Sequence, residues 1–179
     1  MPVIEEIEKN FGRYAGNMIA GYPDLNQVSL LPSDIWQQMR ENKMFGLCLP
    51  GTHGGHNASF RLLAGAASAL VAYSGNTGVA LSWLIHEIIS CRLICRFGNT
   101  RQKNELLSDL ADGKITASFA VSEPEIGAHP KYLQTEAVFK GGTWRLTGEK
   151  CYITNAPMAD WFLVMAKTGT VDQLERVPE

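Results

Sequence analysis

Two carboxylates flank a proline in Ser122-Glu123-Pro124-Glu125, and a pair of carboxylates can do general acid–base work when both face one substrate. In an extended strand, residues two apart point the same way. Pro124 favours a turn, however, and acidic residues are seldom fully buried, so the stretch predicts a solvated loop. Ser122 sits in no Gly-x-Ser-x-Gly elbow and has no histidine at loop or helical spacing to activate it, which argues against a nucleophile. Cys91 and Cys95 are four apart, on one face of an expected helix, where small thiols usually serve as core residues. His86, alone in an apolar stretch, is expected to be a hydrogen-bonded core histidine. The cluster Gly51-Thr52-His53-Gly54-Gly55-His56 matches neither Gly-x-Gly-x-x-Gly nor the P-loop. No third ligand stands near its two histidines, so it predicts a plain loop and no metal site.

The elements that must position these residues fall into two groups. Val3, Ile4, Ile7, Phe11, Tyr14, Met18 and Ile19 recur at three- and four-residue spacing, the mark of a helix that fades before Gly21-Tyr22-Pro23. Leu31-Pro32-Ser33-Asp34 starts a second helix, with Ser33 or Asp34 as cap, Ile35, Trp36 and Met39 inward, and an end near Gly46. Ser59 caps a third, with Phe60, Leu63, Ala67, Leu70 and Val71 inward, that ends at Ser74-Gly75-Asn76. A long helix spans Thr77 to Phe97 and stops at Gly98, a left-handed cap. Asn99-Thr100 opens a fifth with Leu106, Leu107 and Leu110 inward, stopped by Gly113. From Ile115 the period changes to two: Ile115 to Val121, Lys131 to Phe139, Thr143 to Thr147, Glu149 to Thr154 and Asp160 to Lys167 read as strands. Gly141-Gly142 is a two-residue hairpin loop. The fold class expected is α+β multidomain: an all-α helical bundle over residues 1–113, then part of an antiparallel β-barrel or sandwich domain over 114–179.

Composition excludes several partners. The 16 basic and 18 acidic residues, net −2, are mixed along the chain, so neither nucleic acid nor an anionic membrane finds an electrostatic footprint. Four cysteines without a Cys-x-x-Cys pair fit a reducing compartment. An acidic start, Met1 to Glu6, carries no export signal. The apolar run Val79 to Ile94 is interrupted by His86, Glu87 and Arg92, short of the roughly 20 apolar residues of a membrane span, and reads as a core helix. A cytoplasmic location is expected, with the mitochondrial matrix as the alternative.

Phe119-Ala120-Val121-Ser122-Glu123-Pro124-Glu125-Ile126-Gly127 resembles the first signature of the acyl-CoA dehydrogenase family, in which an aromatic or small residue, an aliphatic residue and Thr or Ser precede Glu-Pro and then Gly. Leu146-Thr147-Gly148-Glu149-Lys150-Cys151-Tyr152-Ile153-Thr154-Asn155 resembles the second, in which Gly-x-Lys precedes an aromatic residue and Ile-Thr-Asn. Pro50 with Gly54-Gly55, and Phe97 to Lys103, resemble the family's flanking helical segments. The resemblance runs from about Leu31 to Thr168.

It implies a middle domain that, with helical domains before and after it, encloses FAD and an acyl-CoA or acyl-carrier thioester. Carried over by position, Phe119, Val121 and Ser122 would hydrogen-bond the flavin pyrimidine, Tyr152 would stand where the family usually has tryptophan, and Thr154 would reach the ring edge. Ala128-His129 replaces the family's Ser-Asp after Gly127, leaving Ala128 without a side-chain donor and His129 as a possible contact to phosphate or carrier. Trp83 and His86 on the long helix are further substrate-pocket candidates. The family's catalytic carboxylate usually lies in the C-terminal helical domain, which this chain does not reach, so no base is assigned and residues 1–179 alone are expected to be inert, with exposed apolar surface. The resemblance also implies electron-transfer flavoprotein or oxygen as acceptor and a homo-oligomer, dimer or tetramer, at full length. An acyl-CoA oxidase, a flavin monooxygenase and a truncated, non-catalytic binding module remain alternatives.

Overall fold

The computed structural model describes residues 2–169. Six α-helices come first: α1 (Pro2–Ala20), α2 (Ser33–Glu41), α3 (Phe60–Ser74), α4 (Thr77–Ile85), α5 (Arg92–Phe97) and α6 (Thr100–Ala111). A π-helical segment, His86–Cys91, joins α4 to α5 without a break. Four strands follow: β1 (Ala117–Ala120), β2 (Glu136–Lys140), β3 (Thr143–Thr147) and β4 (Trp161–Val164). The inward residues expected on α2 and α6, Ile35, Trp36, Met39, Leu106, Leu107 and Leu110, are all buried, as are Phe11, Tyr14 and Met18 of α1. The side chains of Val3, Ile4, Ile7 and Ile19 lie outside the described residues.

Caps follow the chemistry of the sequence in most places. Ser59 accepts from the Leu62 N–H at the start of α3, and Asn99 with Gln102 forms a reciprocal capping box on α6. Neither Ser33 nor Asp34 caps α2, whose cap position is Pro32 with no side-chain hydrogen bond; the helix ends at Glu41, short of Gly46. Gly98 is extended rather than left-handed, with φ −63° and ψ 144°. A Cβ there would collide with the Ile94 carbonyl oxygen at 2.6 Å, so this glycine serves close approach instead of a helix cap. Phe60 is exposed, with the Arg92 guanidinium 4.1 Å above its ring.

The stretch Thr77–Phe97 is 21 residues long and apolar enough to cross a membrane by length and composition, with hydropathy 1.5. Its middle is committed elsewhere. Glu87 is fully buried and its two oxygens accept the N–H groups of Gly46 at 2.6 Å and Leu47 at 2.9 Å. Trp83 is equally buried and its Nε1 donates to the Met44 carbonyl at 2.8 Å. The helix is therefore fastened along one side to the segment after α2, the kind of use a polar group inside a core requires. Burial drives the Glu87 pKa up to about 7 against the backbone donors Gly46, Leu47 and Cys48, which pull it down.

In the β part, β2 and β3 form the antiparallel hairpin that the glycine pair foretold, with Lys140 opposite Thr143 and Gly141 and Gly142 at φ 63° and 79°. β1 and β4 pair in parallel, Ala117 with Trp161 through Ala120 with Val164, an orientation that hydrophobic patterning does not specify. Two expected strands are corrected. Lys131 to Thr135 is a 3-10 turn, Pro130–Tyr132, and a loop, so that β2 begins only at Glu136. Glu149 to Thr154 is a loop, not a strand. The hairpin and β4 leave Val138, Trp144, Leu146, Trp161 and Phe162 exposed.

Glu87→Ala leaves the buried Gly46 and Leu47 N–H groups without their acceptor and, at about 1–3 kcal/mol for each, should cost about 2–6 kcal/mol. Glu87→Gln, which keeps one acceptor, should cost less. Urea unfolding of the two variants checks the order; equal losses would show that the carboxylate fastening is not what matters.

Candidate flavin-facing site

Glu123 is the centre of the region where the two conspicuous sequence segments meet. It was expected in a solvated loop, yet it is only 3% exposed. Oε1 accepts from the Lys150 ammonium at 2.8 Å, from the Thr135 hydroxyl and from the Thr135 N–H at 2.9 Å; Oε2 accepts from the Gln134 N–H at 2.7 Å. This explains the missing strand: Gln134 and Thr135 spend their N–H groups on a carboxylate, not on a ladder. Burial alone would raise the Glu123 pKa, but Lys150, Thr135 and the two backbone donors outweigh it and hold it at about 2. The carboxylate stays ionised and engaged, which removes it as a general base. Glu125 and Glu149 are exposed.

Lys150 also donates to the Val121 carbonyl at 3.0 Å. The Cys151 N–H donates to the Ser122 carbonyl at 2.9 Å, and the Ser118 hydroxyl donates to the Thr154 carbonyl. The loop Gly148 to Asn155 is thereby laid along β1 and its exit by side-chain and single backbone contacts. Tyr152, at φ 55°, breaks any strand here, a value that a bulky residue adopts only when its surroundings impose it, and Asn155 follows at 68°, a conformation asparagine takes readily. Gly148 is required at its position: a Cβ would run into Thr135, the residue that holds Glu123. At the far end the Asn155 amide donates to the Ser82 carbonyl at 2.9 Å, while the Ser82 hydroxyl donates back to Asn155 Oδ1. That reciprocal pair docks the loop on α4.

The outcome is a cluster of surface groups. Tyr152 is 95% exposed and its ring leans on nothing. Ser122 and Thr154 are half-buried, and among the described residues neither hydroxyl has a hydrogen-bond partner, although their carbonyls do. Val121 offers no free carbonyl, since Lys150 occupies it, and Phe119 lies inside β1 opposite Leu163. An exposed aromatic platform with two unengaged hydroxyls beside it fits a flat, polar-edged ring system. Thr154 also borders a cleft of about 360 Å³ between the segment Leu25 to Leu31, the start of α4 and the turn after Asn155.

The substrate-facing candidates divide differently. Ala128 and His129 are exposed on the loop after Gly127. His129 Nδ1 accepts the Lys131 N–H at 3.3 Å and its ring lies 4.7 Å from that of Tyr132, so it is largely a local turn residue. Trp83 and His86 are corrected: both are fully buried and present no surface to a ligand. His86 Nε2–H donates to the Leu110 carbonyl at 3.0 Å, and Nδ1 faces the Ala117 N–H at 3.5 Å. Burial lowers its pKa to about 4 despite the Leu110 bond, so the imidazole is neutral and ties α6 and β1 to the π-helical segment. His86, Glu87 and Cys91 have ligand atoms within 4.8 Å of one another, but the imidazole and the carboxylate are already satisfied by backbone groups, so no metal role follows. Sequence reasoning missed Glu123 and Lys150 as partners. Their one signal was the presence of both in the two conspicuous segments.

Comparison with known proteins bears directly on this arrangement. Residues 4–114 match the family model for the acyl-CoA dehydrogenase N-terminal domain, and residues 118–177 match that for the acyl-CoA dehydrogenase middle domain. A probable acyl-CoA dehydrogenase of Bacillus subtilis is 30% identical over 168 residues, 93% of this chain and 43% of that protein. Glutaryl-CoA dehydrogenase from Mycobacterium smegmatis superimposes with a TM-score of 0.85 at 26% identity, over 94% of this chain and 43% of that one. The FAD complex of PigA gives 0.87 at 26% identity, over 95% and 45%. The chain spans less than half the length of these proteins.

The folded pKa of Glu123 lies below its ordinary 4.5, so its stabilisation is complete above pH 4.5 and is lost as pH falls towards 2. Urea midpoints measured from pH 5 to 2 should therefore fall less steeply for Glu123→Gln than for the unmodified protein, though from a lower starting value. Parallel curves would refute the assignment.

Proposed function

This chain belongs to the acyl-CoA dehydrogenase family, and on that premise we propose that it forms the helical layer and flavin-facing loops of an enzyme that α,β-dehydrogenates an acyl-CoA or acyl-carrier thioester with FAD as oxidant. The family is FAD-dependent. The observation that carries the proposal is the exposed Tyr152 ring beside the unengaged Ser122 and Thr154 hydroxyls, held in place by Glu123 and Lys150.

FAD bound there supplies the acceptor for the substrate's β-hydride. The chain's own residues bind and orient. Tyr152 provides a face for stacking, and Ser122 and Thr154 provide donors to the polar edge, where donors stabilise the charge of the reduced ring. Phe119 and Val121 contribute through backbone N–H groups. Lys150 keeps the Val121 carbonyl and the Tyr152 loop at a fixed separation. Ala128, by lacking a hydroxyl, gives up a ligand hydrogen bond worth about 0.5–1.5 kcal/mol, and His129 Nε2 remains available to a carrier or phosphate. Neither buried carboxylate suits the role of base: Glu123 is ion-paired and Glu87 is enclosed.

Electron-transfer flavoprotein is the proposed acceptor, with a homo-oligomer as the working assembly. The Ala128-His129 and Tyr152 departures leave open a second version, in which oxygen takes the electrons; the rate of reoxidation in air after anaerobic reduction separates the two.

Expressed from its complete reading frame and reconstituted, the protein should bind FAD. Tyr152→Ala should weaken binding by about fivefold, the loss of a stacking contact of about 1 kcal/mol, and Thr154→Val by about threefold to tenfold. Fluorescence titration reads both; absence of FAD binding, or variants indistinguishable from the parent, would overturn the assignment.

A further inference from the structure

A second concavity lies away from the flavin-facing loops, between α1 and the turn that follows α2, and encloses about 510 Å³, a volume typical of small-molecule sites. Its floor is apolar: Phe11, Tyr14, Met44 and Leu47 are buried there. The Tyr14 hydroxyl donates to the Ile35 carbonyl at 3.0 Å, so the tyrosine adds ring surface rather than a free polar group.

The rim is polar and positive. Arg13 comes from α1, Lys43 from the left-handed residue beyond α2, at φ 55°, and His56 from the loop after Pro50. The amides of Asn10, Asn17, Gln38 and Asn42 stand between them. Among the described residues no aspartate or glutamate lines the cleft; the carboxylates of Asp34 and Glu41 on α2 act on the Tyr14 hydroxyl at its edge, and the chain as a whole has net charge −2. The Arg13 guanidinium donates to Asn10 Oδ1 at 2.9 Å, which orients it without neutralising it. Among the described residues Arg13 and Lys43 form no ion pair. Asp112, whose charge Lys43 influences, is taken by Lys114 at 2.8 Å.

We propose that this cleft binds a small organic anion, a carboxylate carried on an apolar body. Arg13 and Lys43 hold the carboxylate, the first through its planar fork and the second as a point charge. Phe11, Met44 and Leu47 receive the apolar part. The floor is not isolated: the Met44 carbonyl is bound by Trp83 and the Leu47 N–H by Glu87, so a ligand there presses on the fastening of the long helix. The site is independent of the flavin assignment, and its test uses no flavin.

Benzoate, the probe, is titrated into the full-length protein and followed by NMR at the Met44 and Leu47 methyl groups, with neutral benzamide and phenyl phosphate as comparisons. Saturable benzoate binding is expected, with benzamide weaker by about tenfold for want of the charge. Arg13→Gln with Lys43→Gln should weaken benzoate by a similar factor while leaving the ligand-free melting midpoint unchanged. If the double variant does not fold, Lys43→Gln alone, at an exposed turn, makes the same comparison against benzamide on the parent protein. No saturable shift with benzoate, equal binding of benzamide, binding of phenyl phosphate alone, or undiminished binding by the variants would each overturn the proposal.

Discussion

A carboxylate with almost no access to water must have its charge and its oxygens satisfied inside the protein, and Glu123 meets that demand by drawing together segments far apart in sequence. Lys150 arrives from the loop after β3, and Gln134 and Thr135 from the approach to β2. Once these are gathered, the loop that carries Tyr152 has little freedom. Lys150 reaches onward to the Val121 carbonyl, Gly148 must pass beside Thr135, and the loop that follows can reach Ser82 only by taking left-handed turns at Tyr152 and Asn155. The strained tyrosine is exposed because its loop is tied down on both sides of it.

A second buried carboxylate plays the corresponding part among the helices. Glu87 lies in the π-helical segment, a geometry that recurs at functional sites, and it pins the long helix to Gly46 and Leu47. His86, one residue earlier, ties the same segment to α6 and β1. His86 and Glu87, two of the polar residues in this apolar stretch, thus face different neighbours, and through Ala117 the helical layer sets where β1 begins. The Ser122 and Thr154 hydroxyls sit just beyond the far end of that strand and on the loop docked to Ser82. Both halves of the molecule therefore contribute to the placement of one small cluster.

The helices were legible from the chain because their signals are local. Apolar spacing, the Ser59 and Asn99 caps and the Gly75 and Gly113 stops each act within one or two turns, and the observed burial of Ile35, Met39, Leu63, Leu70 and Leu107 follows that spacing. The Gly141-Gly142 hairpin was legible for the same reason. Where long-range contacts compete with local preference, the sequence misled. Alternation alone made strands of Lys131 to Thr135 and Glu149 to Thr154, but their backbone donors and torsions answer to Glu123, Ser122 and Ser82. The family resemblance points Trp83 and His86 towards a ligand, whereas hydrogen bonds to Met44 and Leu110 hold them in the core, where the apolar setting of His86 already predicts a hydrogen-bonded histidine.

By itself the sequence determined the helical order, the change of period near residue 115, and two segments specific enough to name a family. Those are properties of residue type and spacing, which need no partner to be read. Only the tertiary structure decided that Glu123 is buried and charged, that Tyr152 projects into solvent at positive φ, and that a positively rimmed cleft forms between α1 and the turn after α2. Each of those depends on which distant group meets a charge or fills a hydrogen bond, and a linear chain does not record its own crossings.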